Sequence, residues 1–373
     1  MTNTISHESI LKQGNYESPS LKNIDLKVAL RLYSFMLRLR YCEEALIAEY
    51  HPADEMRCPV HFCNGQEAVP AALNVVMKPD DYLFSHHRSH GYYLAKDAPM
   101  NKMFAEIYGK VDGANAGMAG SQDISYPRTN FFSGAILAGA VAIAVGTAIA
   151  LKMRDQQQVV FVGFGESATD EGVFWESLNY AGLKKLPIIF VCENNNYSVF
   201  SPQSKRQGGS GISERAITFG VKSKAIFGND VALVHDELSQ AVLDARAGAG
   251  PFLLEAFTSR WCGHYGPGSD DFVGYRIPGE LSFWKQNCPI LLLEKTLKAN
   301  SDSFEESKKI IISQIHDEIK SSFEFAKTSS FPSLSSWETV NFSSESPLAD
   351  KFLLDVDISM FDEKQDVIQQ KGY

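Results

Sequence analysis

Apolar positions recur every three to four residues over 24–50 (IDLKVALRLYSFMLRLRYCEEALIAEY). Leu26, Leu30, Tyr33, Leu37 and Ile47 fall between charged residues, which predicts a long amphipathic helix. Further along the period changes. Val159–Gly163 and Leu186–Cys192 are short, unbroken apolar runs and predict buried strands. Between them Thr169–Lys185 reads as a helix, with Asp170 and Glu171 in its first turn and Lys184 and Lys185 in its last, as the helix dipole favours. Strand, helix, strand predicts two parallel strands joined by a right-handed crossover. A second such unit is predicted from a strand Val231–Val234, a helix 236–247 and a strand Phe252–Thr258. Tyr82–Phe84 is a further short strand. Residues 58–69 read as a loop entering a helix at Gly65-Gln66-Glu67, 109–122 and 260–275 as Gly-rich loops, and 280–329 as helices.

This alternation predicts an α/β fold: a doubly wound, mostly parallel sheet with helical N- and C-terminal extensions. The expected divisions are a polar tail at 1–23, an α/β domain at 24–275, a helical extension at 276–328 and a Ser-rich, weakly ordered segment at 329–373. Residues 134–151 (GAILAGAVAIAVGTAIAL) are uncharged for long enough to span a bilayer. The run is mostly Ala and Gly, so we expect a buried small-residue helix packed closely on a neighbour, and no membrane association.

Composition narrows the function classes. The chain has 373 residues, 35 basic and 45 acidic, for a net charge of −10. That balance argues against nucleic acid as a partner, since phosphate neutralisation needs clustered Lys and Arg. The six cysteines include no C-x-x-C pair, which argues against a zinc or dithiol motif and fits a reducing cytoplasm. The first twenty residues carry neither a signal-peptide nor a transit-peptide pattern, which gives the same expectation of a cytoplasmic location.

Candidate chemistry lies at strand ends, because a parallel sheet binds ligands beyond its carboxyl edge. Glu166 follows one central strand and Asn195 the next, one crossover apart. A carboxylate and an amide oxygen are hard ligands suited to Mg²⁺ with phosphate oxygens, and the turn at 165–167 leads into a helix N-terminus. A strand ending in a polar loop and a helix cap, with no ligand, has the same spacing. Three histidines and one arginine (His86, His87, Arg88, His90) follow the strand at 82–84.

The segment Gly165-Glu166-Ser167 through Asn194-Asn195 resembles the thiamine-diphosphate motif, G-D-G followed by N-N. The text around it resembles the alpha subunit of the first component of 2-oxo acid dehydrogenases, of the pyruvate, branched-chain and acetoin types. HFCNGQEAV at 61–69, SHHRSHGYYLAK at 85–96, YGKVDG at 108–113, TDEGVFWESLNYAGLKKLPIIFVCENNNYSV from 169, GNDV at 228–231 and RWCGH at 260–264 follow that family in order. The likeness runs from about residue 24 to 335.

The resemblance implies thiamine diphosphate and Mg²⁺ as cofactors. It implies Glu166, Asn195 and the Tyr197 backbone carbonyl as metal ligands. Arg88 would reach the diphosphate, with His87, Gly165, Ser167 and Ala168 lining the cofactor. Ala135 and Leu137 would meet the aminopyrimidine ring, with Leu137 as the wedge that bends the cofactor. His61 and His264 would act on substrate, with His90 as a further catalytic candidate, through histidines titrating near neutrality. Two departures stand out. Ser167 replaces a Gly that could take positive φ close to the diphosphate, and Tyr265 replaces the Ser that kinase-regulated members carry after the loop His.

The family also needs a Glu from a pyrimidine-binding domain. The hundred or so residues after Asp270 are too few for one, so the expected partner is a separate beta subunit in an alpha2-beta2 assembly, with the 134–151 helix packing at the junction. The implied activity is decarboxylation of a small 2-oxo acid and acyl transfer to a lipoyl-carrying acyltransferase. Two alternatives stay open: a related decarboxylase or ligase that uses no lipoyl partner, and a non-catalytic scaffold subunit.

Overall fold

Ile188–Asn194 is buried at every position, as expected of a strand covered on both faces. In the computed structural model, which describes residues 5–53, 55–209 and 211–333, it lies near the middle of a parallel sheet. The strands are β1 (Tyr82–Ser85), β2 (Phe131–Ser133), β3 (Val160–Gly165), β4 (Ile188–Asn194), β5 (Tyr197–Ser198), β6 (Ser201–Pro202), β7 (Lys222–Phe227) and β8 (Phe252–Phe257). Six of them form one sheet in the order β2-β1-β3-β4-β8-β7, every pair parallel, while β5 and β6 make a short antiparallel hairpin. The two runs read from sequence as neighbours are neighbours, with Gly165 in register with Glu193.

The sheet separates two apolar layers. One packs the helices Leu26–Ala53, Ala68–Val76, Met100–Ile107 and Val231–Arg246 around residues such as Tyr33, Phe62, Phe104 and Leu254. The other packs Gly139–Met153, Gly172–Lys184 and Ile212–Thr218 around Phe164, Phe174 and Phe190. Helices on both faces make the fold doubly wound. From β1 the chain winds outward to β2; from β3 it winds the other way, through β4. The strand order therefore reverses between β1 and β3, where such sheets bind ligands.

Three local expectations need correcting. Val231–Val234 is the first turn of a helix, because the Asp230 side chain accepts the Leu233 N–H at 3.0 Å and caps it there. The strand of that unit is β7, whose Lys-Ser-Lys start lacks an apolar run because it is an edge strand with one flank in solvent. The small-residue helix is Gly139–Met153 and is only half buried: Val141, Ala144, Val145, Ala148 and Leu151 face the core, while Ile143 and Met153 are 62% and 83% exposed. The polar tail contains a helix, His7–Gln13, closed by a Ser6–Ser9 capping box. It is docked through buried Ile10 and His7, and Tyr16 stacks on Phe227 at 3.6 Å.

The crossover from β3 begins with a 3₁₀ turn, Glu166–Asp170, before the α-helix Gly172–Lys184. Residues 280–328 form the helices Glu280–Gln286, Pro289–Asn300 and Phe304–Thr328. Most of the Ser-rich segment, from residue 334, lies outside the described residues. No helix among the described residues is long and apolar enough to cross a membrane.

Candidate active site

The carboxyl ends of β1, β3, β4 and β8 open onto one cavity of about 230 Å³. Eleven of the residues given a site role from the resemblance line it: His61, His87, Arg88, Ala135, Leu137, Gly165, Glu166, Ser167, Asn195, Tyr197 and His264. Ala168 lines a smaller neighbouring cavity that shares His87, Ala135, Leu137 and Gly165 with the first. His90 is not among the lining residues. Its ring is fully buried, with Nδ1 at 2.6 Å from Glu43 and Nε2 at 2.8 Å from Ser121, so both nitrogens serve structure. Glu43 also accepts the Cys63 N–H at 2.7 Å. His90 therefore helps tie the loops around 63 and 121 to the β1 end.

Arg88 follows β1 and is buried. Its Nη1 donates to the Phe62 carbonyl, and its Nη2 donates to the His264 carbonyl at 3.2 Å. Among the described residues no carboxylate pairs with it directly; Glu193 and Glu43 act on it only at longer range. Burial, reinforced by the Arg260 guanidinium, pulls its pKa down to about 10. A buried cation held only by carbonyls is an incomplete arrangement that an anion would complete.

Glu166 opens the turn after β3 and is almost wholly buried. Its Oε1 accepts a hydrogen bond from Arg206, which also pairs with Asp170. Oε2 has no side-chain partner among the described residues. Burial raises the carboxyl to about 6, against the lowering effect of Arg206. Ser167 is not in the positive-φ region, so replacing Gly there strains nothing.

Beyond β4, the two asparagines have separate tasks. Asn194 is fully buried, donates to Glu255 at 2.8 Å and accepts the Asn196 N–H, so it braces the turn. Asn195 lines the cavity, and its Oδ1 accepts the Tyr197 N–H at 3.1 Å. The turn is strained: Asn196 has φ 70° and β-branched Val199 has φ 53°. The Val199 carbonyl accepts from Arg260, and Tyr197 donates its hydroxyl to Glu280 at 2.6 Å.

His61, His87 and His264 converge from three different loops, with ring centroids 4.8–5.6 Å apart. Burial, reinforced by Arg88, lowers His61 to about 3 and His264 to about 4. Burial and neighbouring His86 and Arg88 lower His87 further. In the unliganded chain these rings are neutral near pH 7, whereas histidines titrating near neutrality were expected. Gln122 lies 3.2 Å from His61 Nδ1. The loop carrying Gln122 is shaped by Glu106, whose carboxylate accepts four backbone N–H groups, from Asn115, Gly117, Ala119 and Gly120. The Ala135 N–H, expected to face a cofactor ring, donates to Asp123 at 2.7 Å instead.

His86, noted in the His/Arg cluster but given no role, also lines the cavity, and Gln66, Gln122, Glu193 and Arg260 were assigned none from sequence either. Glu193, buried on β4, accepts the Tyr92 hydroxyl at 2.7 Å, and its other oxygen has no hydrogen-bond partner among the described residues. The signal for it was present, since a lone carboxylate ends an otherwise apolar strand. Arg206, outside the lining, sits in a polar stretch without any pattern.

Residues 34–335 match the family model described as dehydrogenase E1 component. The chain is 33% identical to the pyruvate dehydrogenase E1 component subunit alpha of Porphyra purpurea, over 84% of this chain and 92% of that protein. It is 30% identical to the same subunit of Rhizobium meliloti, over 82% and 87% of the two chains. The alpha subunit of acetoin:2,6-dichlorophenolindophenol oxidoreductase from Bacillus subtilis is 32% identical over 64% of this chain and 71% of its own length. Relatives labelled chloroplastic and mitochondrial also match, so the comparisons span several compartments. This chain belongs to the dehydrogenase E1 component family, as an alpha subunit of the 2-oxo acid dehydrogenase type.

Proposed function

We propose that the chain binds thiamine diphosphate and Mg²⁺ in this cavity and, paired with a beta subunit in an alpha2-beta2 assembly, decarboxylates a 2-oxo acid and passes the acyl group to a lipoyl-carrying acyltransferase. One observation carries the reading. A buried guanidinium with no direct carboxylate partner among the described residues, Arg88, shares a cavity with Glu166 and Asn195, hard oxygen ligands at the ends of adjacent strands. That donor set suits a diphosphate clamped by a divalent ion. Glu166 Oε2, Asn195 Oδ1 and the Tyr197 carbonyl would hold the metal, and Arg88 the diphosphate.

When bound, thiamine diphosphate supplies the nucleophile and electron sink for decarboxylation. The chain's own residues would bind, orient and exclude water. Arg206 keeps Glu166 ionised and aimed. Neutral His61 and His264 offer ring N–H groups to an incoming oxo acid, and an anion beside Arg88 would raise their proton affinity toward the working range. Leu137, 41% exposed, would support the bent cofactor. The cavity is smaller than a usual complete ligand pocket, of about 300–1,000 Å³, which fits a site finished by a second chain. The exposed side of Gly139–Met153 is the surface we assign to that chain. Six free cysteines support a reducing compartment, and we place the protein in the cytoplasm.

The test is to copurify the chain with its partner and measure CO₂ release from a panel of 2-oxo acids, with and without thiamine diphosphate and Mg²⁺. Turnover that needs both cofactors and both chains is expected, and reduction of added lipoamide identifies the acyl acceptor. Full turnover by this chain alone, or by the complex without the coenzyme, would overturn the proposal.

A further inference from the structure

His61, His87 and His264 each present a ring nitrogen, and the three nitrogens lie within 4.8 Å of one another. His61 is buried and the other two are partly buried, at the cavity wall. The rings of His87 and His264 make no hydrogen bond to any other described residue; their contacts are with aromatic rings. His61 spends only Nδ1, on Gln122. Three imidazoles converging on one part of a cavity wall, with ring nitrogens left free of protein partners among the described residues, offer a ready set of donors.

Three imidazole nitrogens bound to a tetrahedral ion at 2.0–2.1 Å would stand roughly 3.3–3.4 Å apart. From their present spacing each would move inward by about 1 Å, within reach of side-chain rotation. Imidazole suits zinc and its neighbours in the first transition row, whereas carboxylate and amide oxygens suit Mg²⁺. The cavity therefore presents two donor sets of different hardness: oxygens at the β3 and β4 ends, and nitrogens on the facing loops. We propose that His61, His87 and His264 form a site for a zinc-type divalent ion, three-coordinate from protein with the fourth position open to water or a carboxylate oxygen. Arg88 and Arg260 stand nearby, so the ion is held reversibly, less tightly than in a buried structural zinc site. Occupancy would fix the loop carrying His264 against those carrying His61 and His87. It would also withhold all three rings from substrate; this consequence rests on the function proposed above, whereas the binding does not.

The probe is Co²⁺, titrated into the untagged complex of this chain and its partner with Mg²⁺ at saturation, so that the oxygen set is filled. No oxo acid or coenzyme is added, so the outcome is independent of turnover. The expected result is one equivalent of Co²⁺ with the intense visible absorption of a four-coordinate ion, displaced by Zn²⁺. His87→Phe should weaken binding by at least roughly tenfold and abolish the band. His264→Asn, on a loop near the surface, does the same if His87→Phe misfolds. In the assay, Zn²⁺ should inhibit competitively with the oxo acid in the parent enzyme and much less in the variants. A weak six-coordinate spectrum, no saturable binding, or a band unchanged in both variants would overturn the proposal.

Discussion

Arg206 offers the sharpest perturbation of the oxygen ligand set. It contacts Glu166 and Asp170, yet it lies outside the cavity lining, so its effect on a metal must pass through Glu166. With Arg206 present, burial already holds Glu166 near 6, above the ordinary 4.5. A raised carboxyl destabilises the fold progressively as pH climbs from 4.5 to 6, and fully above that. The penalty is about 2 kcal/mol at 1.36 kcal/mol per pH unit. Arg206→Gln removes the counter-charge, and buried carboxyls without one reach about 8. At pH 7 some nine in ten molecules would then carry a proton on Glu166 that a metal must displace. Apparent Mg²⁺ affinity should fall roughly tenfold, about 1.4 kcal/mol, with recovery as pH rises past about 8. Arg206→Lys should restore most of it. Calorimetric titration of Mg²⁺ with thiamine diphosphate into the complex at pH 6.5, 7.5 and 8.5 measures this directly. Equal affinity and equal pH slope in the parent and Arg206→Gln would refute the reasoning.

Three further outcomes follow from the same geometry. Arg88→Met should abolish diphosphate-dependent binding by calorimetry yet leave the melting temperature of the unliganded protein unchanged or raised, since it removes a buried cation that has no direct ion-pair partner among the described residues. Binding of Mg²⁺ with thiamine diphosphate to the unliganded complex should weaken on the acid side with an apparent pKa near 6, set by protonation of Glu166, and this limb should persist in His264→Gln, whose parent ring is already neutral down to about 4 before ligand binds. Glu106→Ala, which leaves four backbone N–H groups without their acceptor, should cost about 3 kcal/mol in denaturant melts and reduce turnover, with partial rescue by Glu106→Gln.

Much of this arrangement was legible in the chain because it is local. The apolar runs that become β3 and β4 are short and rich in Val, Ile and Phe, which favours buried strands over a buried helix, and the residues just after a parallel strand lie on the binding edge by topology alone. The failures have physical causes. β7 begins Lys-Ser-Lys because an edge strand needs no apolar run, so its place was given to the apolar first turn of the helix beginning at Val231. The small-residue helix seemed fully buried because composition does not say which face has a neighbour within the chain. His90 shares a motif with Arg88 but turns toward Glu43, 47 positions earlier, and no spacing rule reveals that partner. Arg206 reaches Glu166 across forty residues, and the depressed histidines depend on Arg88 lying among loops far apart in sequence. Side chains placed by long-range packing are where reading residues in order loses its grip.

The central claim is that the ends of β3 and β4 hold a metal–diphosphate pair opposite Arg88. A crystal structure of the complex grown with thiamine diphosphate and Mg²⁺ tests it most directly. The account predicts an ion bonded to Glu166, Asn195 and the Tyr197 carbonyl, with Arg88 on a diphosphate oxygen. Coenzyme bound elsewhere, or a metal that bypasses Glu166 and Asn195, would contradict it.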